Sequence, residues 1–134
     1  MMRKIILLLA IVLLGSSLNA QNAKHERKKN MVVKEWNTKV GTTTPVLDHV
    51  TTYDTLGRKV EEIEYATYGQ KNRVVYEYSG TSRKVTREIV YNDKNKVTKI
   101  KKYEYDADGH KTRQLNYKPN GKLETTKTFE YSYK

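Results

Sequence analysis

The 134 residues include 26 Lys and Arg against 15 Asp and Glu, a formal net charge of +11, and no Cys. A chain of this length fits one domain. The missing Cys excludes disulfide staples, a lipid-anchored N-terminus and thiolate zinc sites, so the fold depends on pairing and packing.

The chain opens with Arg3 and Lys4, then an apolar run from Ile5 to Leu14, then Gly15, Ser16, Ser17 and a small residue at Ala20. That is the layout of a secretory signal peptide. Ten apolar residues are too few to cross a hydrocarbon core about 30 Å thick. Residues 1–20 are therefore expected to be removed on export, to the periplasm, the cell surface or the medium. No membrane span is expected in the mature chain. Its removal takes away two basic residues and no acidic one, leaving +9. Residues 21–30 (QNAKHERKKN) are polar, basic and aperiodic, and read as a flexible leader. The remaining residues, 31–134, form the expected domain.

Met31 to Trp36 reads as a first strand, 37–45 as a loop, and Val46 to Tyr53 as a second strand. From there a short unit recurs about every thirteen residues: a turn, a Lys or Arg, an alternating run, then Tyr. All 11 Tyr lie between Tyr53 and Tyr133. Tyr, Val, Ile and Thr favour strands because their stiff or aromatic side chains suit a pleated surface. Asp108-Gly109 and Asn120-Gly121 supply the positive φ that tight hairpin turns need, and Asn95 stands where other turns carry Gly. Turns this short join antiparallel neighbours. The prediction is all-β: an antiparallel meander of about eight strands, with the sheet left open, curled or barrel-like.

Strict alternation assigns faces. It places Ile63, Tyr65, Val74, Tyr76, Tyr78, Val85, Ile89, Tyr91, Tyr103, Tyr105, Leu115, Tyr117, Phe129, Tyr131 and Tyr133 on one aromatic side. Glu62, Glu64, Glu77, Glu88, Glu104 and Glu130 fall on a wet side. Arg87, Lys99, Lys101, Arg113 and Lys127 then share the aromatic side. Each would cost about 2–4 kcal/mol at a bilayer midplane, which excludes an outer-membrane barrel. An uncovered aromatic side needs a partner layer. Curling, residues 31–50 or a homodimer could each supply it.

Tyr53-Asp-Thr-Leu-Gly57-Arg58 and Tyr105-Asp-Ala-Asp-Gly109-His110 resemble the repeat of YD-repeat (RHS-type) proteins, whose β-hairpin strips wrap into shells. A larger stretch of the chain is similar to small exported proteins of Bacteroides-type bacteria that carry a domain of unknown function. The shared features are a signal peptide ending near Ala20-Gln21 and repeated Tyr-x-Tyr-Asp strands. This resemblance implies an exported β-protein and brings no catalytic residue with it.

His25, His49 and His110 are scattered, with no metal-ligand spacing. Asp106, Asp108 and Gly109 lack the closing Glu of a calcium loop and read as a turn bonded by its own side chains. Glu61 and Glu62 are adjacent and point opposite ways, unlike a glycosidase pair. No nucleophile elbow, phosphate loop or dinucleotide fingerprint occurs. The reading is a non-catalytic binding or structural module with no metal and no cofactor. Its basic excess suits an acidic glycan or another anionic envelope component, and export disfavours nucleic acid. Trp36 and Tyr68, both near loops, are the candidate ligand-stacking residues. The alternatives are a secreted enzyme acting on glycans, with Glu61, Glu64, Glu77 and His49 converging on a pocket, and a self-associating envelope protein.

Overall fold

The computed structural model describes residues 22–134; the segment read as a signal peptide lies outside the described residues. Eight strands follow in chain order: β1 (Val32–Asn37), β2 (Val46–Tyr53), β3 (Lys59–Ala66), β4 (Gly69–Tyr78), β5 (Val85–Tyr91), β6 (Val97–Tyr105), β7 (Lys111–Tyr117) and β8 (Leu123–Thr128). They form one sheet whose spatial order is the chain order, every neighbour antiparallel. The edges β1 and β8 do not meet, so the sheet is not a barrel.

Where the sequence suggests a flexible leader, residues 22–28 are helical. Nothing apolar explains that helix; its anchors are polar. Lys29 pairs with Glu26 at 2.9 Å, and the Asn30 N–H donates to the Asp54 carbonyl at 2.9 Å. The Lys28 ammonium stands 5.3 Å from the Tyr53 ring centre.

Four hairpin turns share one hydrogen-bond pattern, in which the first residue donates to the carbonyl of the fifth and the fourth donates back to the first. They begin at Asp54, Asn92, Asp106 and Lys118. Their fourth residues have φ of 73° (Gly57), 58° (Asn95), 84° (Gly109) and 84° (Gly121), a region that favours Gly and tolerates Asn. In the first three the leading Asp or Asn adds a side-chain brace. Asp54 Oδ1, for instance, accepts the N–H groups of Leu56 and Arg58, both at 2.9 Å. Lys118 cannot do this, and Asn120 Oδ1 accepts the Lys122 N–H instead.

Every one of the seven strand pairs contains a bulge, and the extra residue always lies near the start of the later strand. Those residues are Asp48, Val60, Lys71, Thr86, Thr98, Thr112 and Glu124. In three pairs the bulge carries a threonine whose hydroxyl donates across the strands: Thr86 to the Glu77 carbonyl, Thr98 to Val90 and Thr112 to Glu104, each at 3.2 Å. A bulge adds twist, so seven in series twist the sheet strongly.

The bulges overturn the single aromatic side. Residues directly opposite in a pair share a face. Tyr76 lies opposite Glu88, and Tyr91, three residues beyond Glu88, therefore faces the other way. Likewise Tyr103 pairs with Gln114, which puts Tyr117 on the opposite face. The front face carries the row Val75–Ile89–Ile100–Tyr117, with Val50, Ile63, Tyr91 and Leu115 around it. The back face carries Tyr76, Glu88, Lys101, Asn116 and Thr125 in one row, and Tyr103, Gln114 and Lys127 in the next. Arg87 and Arg113 lie in front, while Lys99, Lys101 and Lys127 lie behind. Val75 and Ile100 flank Ile89 within the front apolar row.

Among the described residues, no second layer covers either face. Ile89 is the only buried hydrophobic residue among those described, at 9% exposure, and no side chain is fully enclosed. Tyrosines close one end of the sheet instead. Tyr78 Oη donates to the Lys59 carbonyl (2.6 Å), Tyr105 to Val85 (2.6 Å) and Tyr131 to Lys111 (2.7 Å). Each ring is flanked by a residue from the hairpin before: Arg58 at 4.6 Å from Tyr78, Lys84 at 5.9 Å from Tyr105, and the His110 ring at 4.8 Å from Tyr131.

Gly57→Ala should lower stability by about 1 kcal/mol or more, from its positive φ alone. The new methyl would also collide with the His25 carbonyl oxygen, displacing the helix at 22–28. A urea midpoint measures the first effect, and amide exchange over 22–28 the second. Asp54 sets an acid limit. Burial favours its neutral form, but the hydrogen bonds from Arg58 and Leu56 and the Arg58 charge outweigh that and hold the carboxyl below its ordinary range. A carboxylate depressed on folding stabilises above its unfolded pKa, and that stability is lost as pH falls through the folded value. Thermal melts of wild type and Asp54→Asn should differ at neutral pH and converge in acid.

Candidate functional site: a lysine and amide surface on the back face

Charge is divided unequally along the sheet. Residues 46–91 hold seven basic and seven acidic side chains, whereas 92–128 hold ten basic and five acidic. On the back of β3 the acids have partners. Glu62 pairs with Lys59, and Glu64 lies 3.6 Å from Lys71 and 2.9 Å from the Asn72 amide. The Asn72 hydrogen bond, then the Lys71 charge, hold the Glu64 carboxyl below its usual range. On the back of β6 to β8 the situation reverses. Among the described residues, Lys99, Lys101 and Lys127 have no carboxylate within 4.0 Å.

Between these lysines runs a polar chain. Gln114 Nε2 donates to Asn116 Oδ1 (2.8 Å), and Asn116 Nδ2 donates to Thr125 Oγ1 (3.0 Å). Strand pairing builds it, because Lys101, Asn116 and Thr125 lie side by side on β6, β7 and β8, and Gln114 is beside Lys127. Lys99, Lys101, Gln114, Asn116 and Thr125 line an open shallow groove together with Glu124. Such a surface presents several N–H donors and little negative charge, so it suits a ligand bearing carboxylates or phosphates together with hydroxyls.

The neighbouring back-face tyrosines are not free platforms. Lys111 stands 4.3 Å from the Tyr103 ring centre and Lys59 stands 5.9 Å from that of Tyr76. Burial, followed by the charge of Glu62 for Tyr76 and a hydrogen bond to Glu88 for Tyr103, pushes both phenols well above their ordinary range.

Trp36 and Tyr68 lie at one end of the sheet and are 57% and 68% exposed. A second open groove runs between the 38–45 loop and the β3–β4 turn, lined by Asn37, Val46, Leu47, Tyr65 and Thr67 among others. Chain neighbours of both candidate rings line it. The residues that a glycan hydrolase would need do not converge. Glu61 and Glu77 lie in front, bonded to Arg73 (3.2 Å) and Arg87 (3.1 Å), while Glu64 and His49 lie behind. Asp106, Asp108 and His110 bring three potential metal-ligand atoms within 4.8 Å of one another. Asp106 Oδ1 there accepts the N–H groups of Asp108 and His110, the same turn that two other hairpins make without His.

No family model matches the chain, and no curated protein is similar to it. Among solved structures it is similar to a crystal structure of TarM, with a TM-score of 0.35 and 18% identity over 88% of this chain and 19% of that one. It is also similar to an S. aureus TarM mutant in complex with Fondaparinux, alpha-GlcNAc-glycerol and UDP, with a TM-score of 0.32 and 18% identity over 87% of this chain and 22% of that one. The chain thus spans about a fifth of those solved chains.

Alkaline titration should separate the tyrosines. Burial raises Tyr76 and Tyr103 furthest, and it raises Tyr78 and Tyr105 as well. A phenol raised on folding stabilises below its unfolded pKa, and that contribution fades as pH climbs toward the folded value. Ultraviolet difference spectra should show a late group of phenols, Tyr76 and Tyr103 last, that keep their protons until the sheet unfolds.

Proposed function

We propose that the protein is an exported, non-catalytic binding module whose back face holds an acidic glycan of the cell envelope. The observation that carries this reading is the group of Lys99, Lys101 and Lys127, none ion-paired among the described residues and all interleaved with the Gln114–Asn116–Thr125 chain. The grooves are open and shallow, which suits a polymer lying across strands better than a small substrate held away from water. Lysines two apart on a strand are about 6.8 Å from one another, and β6 and β8 are about 9.6 Å apart. Ammonium groups at such spacings can address successive charges on an extended chain. The basic excess of this half of the sheet raises the local concentration of anions before contact.

The covered rings of Tyr76 and Tyr103 argue against nucleic acid, whose bases need open aromatic faces. A distinct reading is favoured by the exposed rings at the sheet end: neutral sugars stacked on Trp36 or Tyr68 beside the second groove.

The two readings separate in affinity electrophoresis against a polyuronate, a sulfated polymer and a neutral glucan. The acidic polymers alone should retard the protein, and salt should weaken the effect. Replacing Lys99, Lys101 and Lys127 together with Ala should weaken binding at least tenfold, or about 1.4 kcal/mol. Trp36→Ala and Tyr68→Ala should leave it unchanged. Equal retardation by the neutral glucan, or a triple variant that binds like wild type, would reject the lysine surface.

A further inference from the structure

The front face differs in kind from the back. Its centre is the apolar row Val75, Ile89 and Ile100, with Ile63, Leu115, Tyr91 and Tyr117 beside it. Its carboxylates are already paired within the same copy. Arg73 bonds Glu61 at 3.2 Å, Arg87 bonds Glu77 at 3.1 Å, and Arg113 clasps Glu104 with two bonds of 2.6 and 2.8 Å. Arg73 also lies 4.0 Å from the Tyr91 ring centre. Two front-face cations lie outside these pairs: Lys102, 5.3 Å from the centre of the Tyr117 ring, and Lys34, opposite Val50 on the edge strand β1. All three of its carboxylates can therefore leave water already paired, and the two lysines need only carry their ammonium groups to the rim on flexible stems.

We infer that the front face is an interface between two copies of this chain, packed sheet against sheet as a sandwich. Four considerations select a second copy as occupant. First, every front-face carboxylate is already bonded to an arginine of its own copy, so none is left needing a cation from elsewhere. Second, the size is right. Seven strand spacings by about six residues give a face of roughly 34 by 20 Å. That is about 700 Å² per copy, within the standard range for stable interfaces. Third, two faces of the same twist stack at about −30° with their inner side chains interleaved, so the bulge-induced twist is matched by construction. Fourth, among the described residues only Ile89 of the apolar row is buried, while Ile63, Val75, Ile100 and Leu115 are part-buried and have further burial to gain. In the pair both back faces point outward, and each dimer then presents two lysine surfaces to a polymer. The inference does not depend on the glycan reading, since a dimer could form whatever the back face binds.

Sedimentation velocity and light scattering on the exported chain should give the mass of two copies. Ile100→Lys should give a monomer with an unchanged strand spectrum in circular dichroism. Val90→Lys, one face away, should remain a dimer. Should Ile100→Lys unfold, the absence of native Cys offers a milder probe. The thiol of Ile100→Cys should alkylate several-fold more slowly in concentrated than in dilute protein, whereas that of Val90→Cys should react at one rate throughout. A monomer at every concentration overturns the inference. So does a dimer abolished by Val90→Lys, or one abolished by Thr125→Pro at the β8 edge while Ile100→Lys leaves it intact.

Discussion

A sheet one layer thick has no interior, and everything else about this molecule follows from that constraint. Its strands are held by backbone ladders and by side chains that reach sideways to the next strand. Such pairs are each worth only about 0.2–1 kcal/mol, so the molecule uses many of them. Arg–Glu rungs cross the front, Tyr–carbonyl bonds close one end, and cations lie over those same rings. Tyrosine serves such a sheet well. Its ring covers a strand end while its hydroxyl satisfies a carbonyl left beside the turn. The same constraint links stability to function, because a side chain engaged across the sheet cannot also engage a ligand. What remains free marks the candidate surface.

The architecture was legible because turns and strands are local. Asp-Gly and Asn-Gly pairs announce their hairpins, and Val46–Tyr53 is the second strand in both sequence and structure. The faces were not legible. Counting alternate residues across a turn assumes that no residue is left over, and each hairpin here leaves one. The longer rhythm was nonetheless present in the spelling. Tyr65, Tyr91 and Tyr117 are separated by 26 residues, two strands and two turns, and all three lie in front. The Tyr76-Glu77-Tyr78 and Tyr103-Glu104-Tyr105 triplets recur at a similar interval. A period of thirteen halves this and mixes the two faces.

The candidate site was less legible for a related reason. Trp36 and Tyr68 stand out because exposure near loops can be guessed from position. The lysine surface joins Lys101, Asn116 and Thr125, which become neighbours only once the register is fixed. One signal could have pointed toward it. The balance of charge before residue 92 and the excess of basic residues after it can be counted directly. The helix at 22–28 gave no such signal, since polar contacts to a turn some thirty residues away hold it in place.

Because spatial order repeats chain order, the sheet has a mechanical grain. A pull between the β1 and β8 edges acts across the strands, so the rungs of each ladder break in succession and each hairpin opens like a zip. Tension along a single strand would instead load its whole ladder together. Substantial contacts join only consecutive strands, so losing an outer hairpin leaves the inner ones intact. Under lateral strain the molecule would lengthen in hairpin-sized steps and regain them from the surviving template.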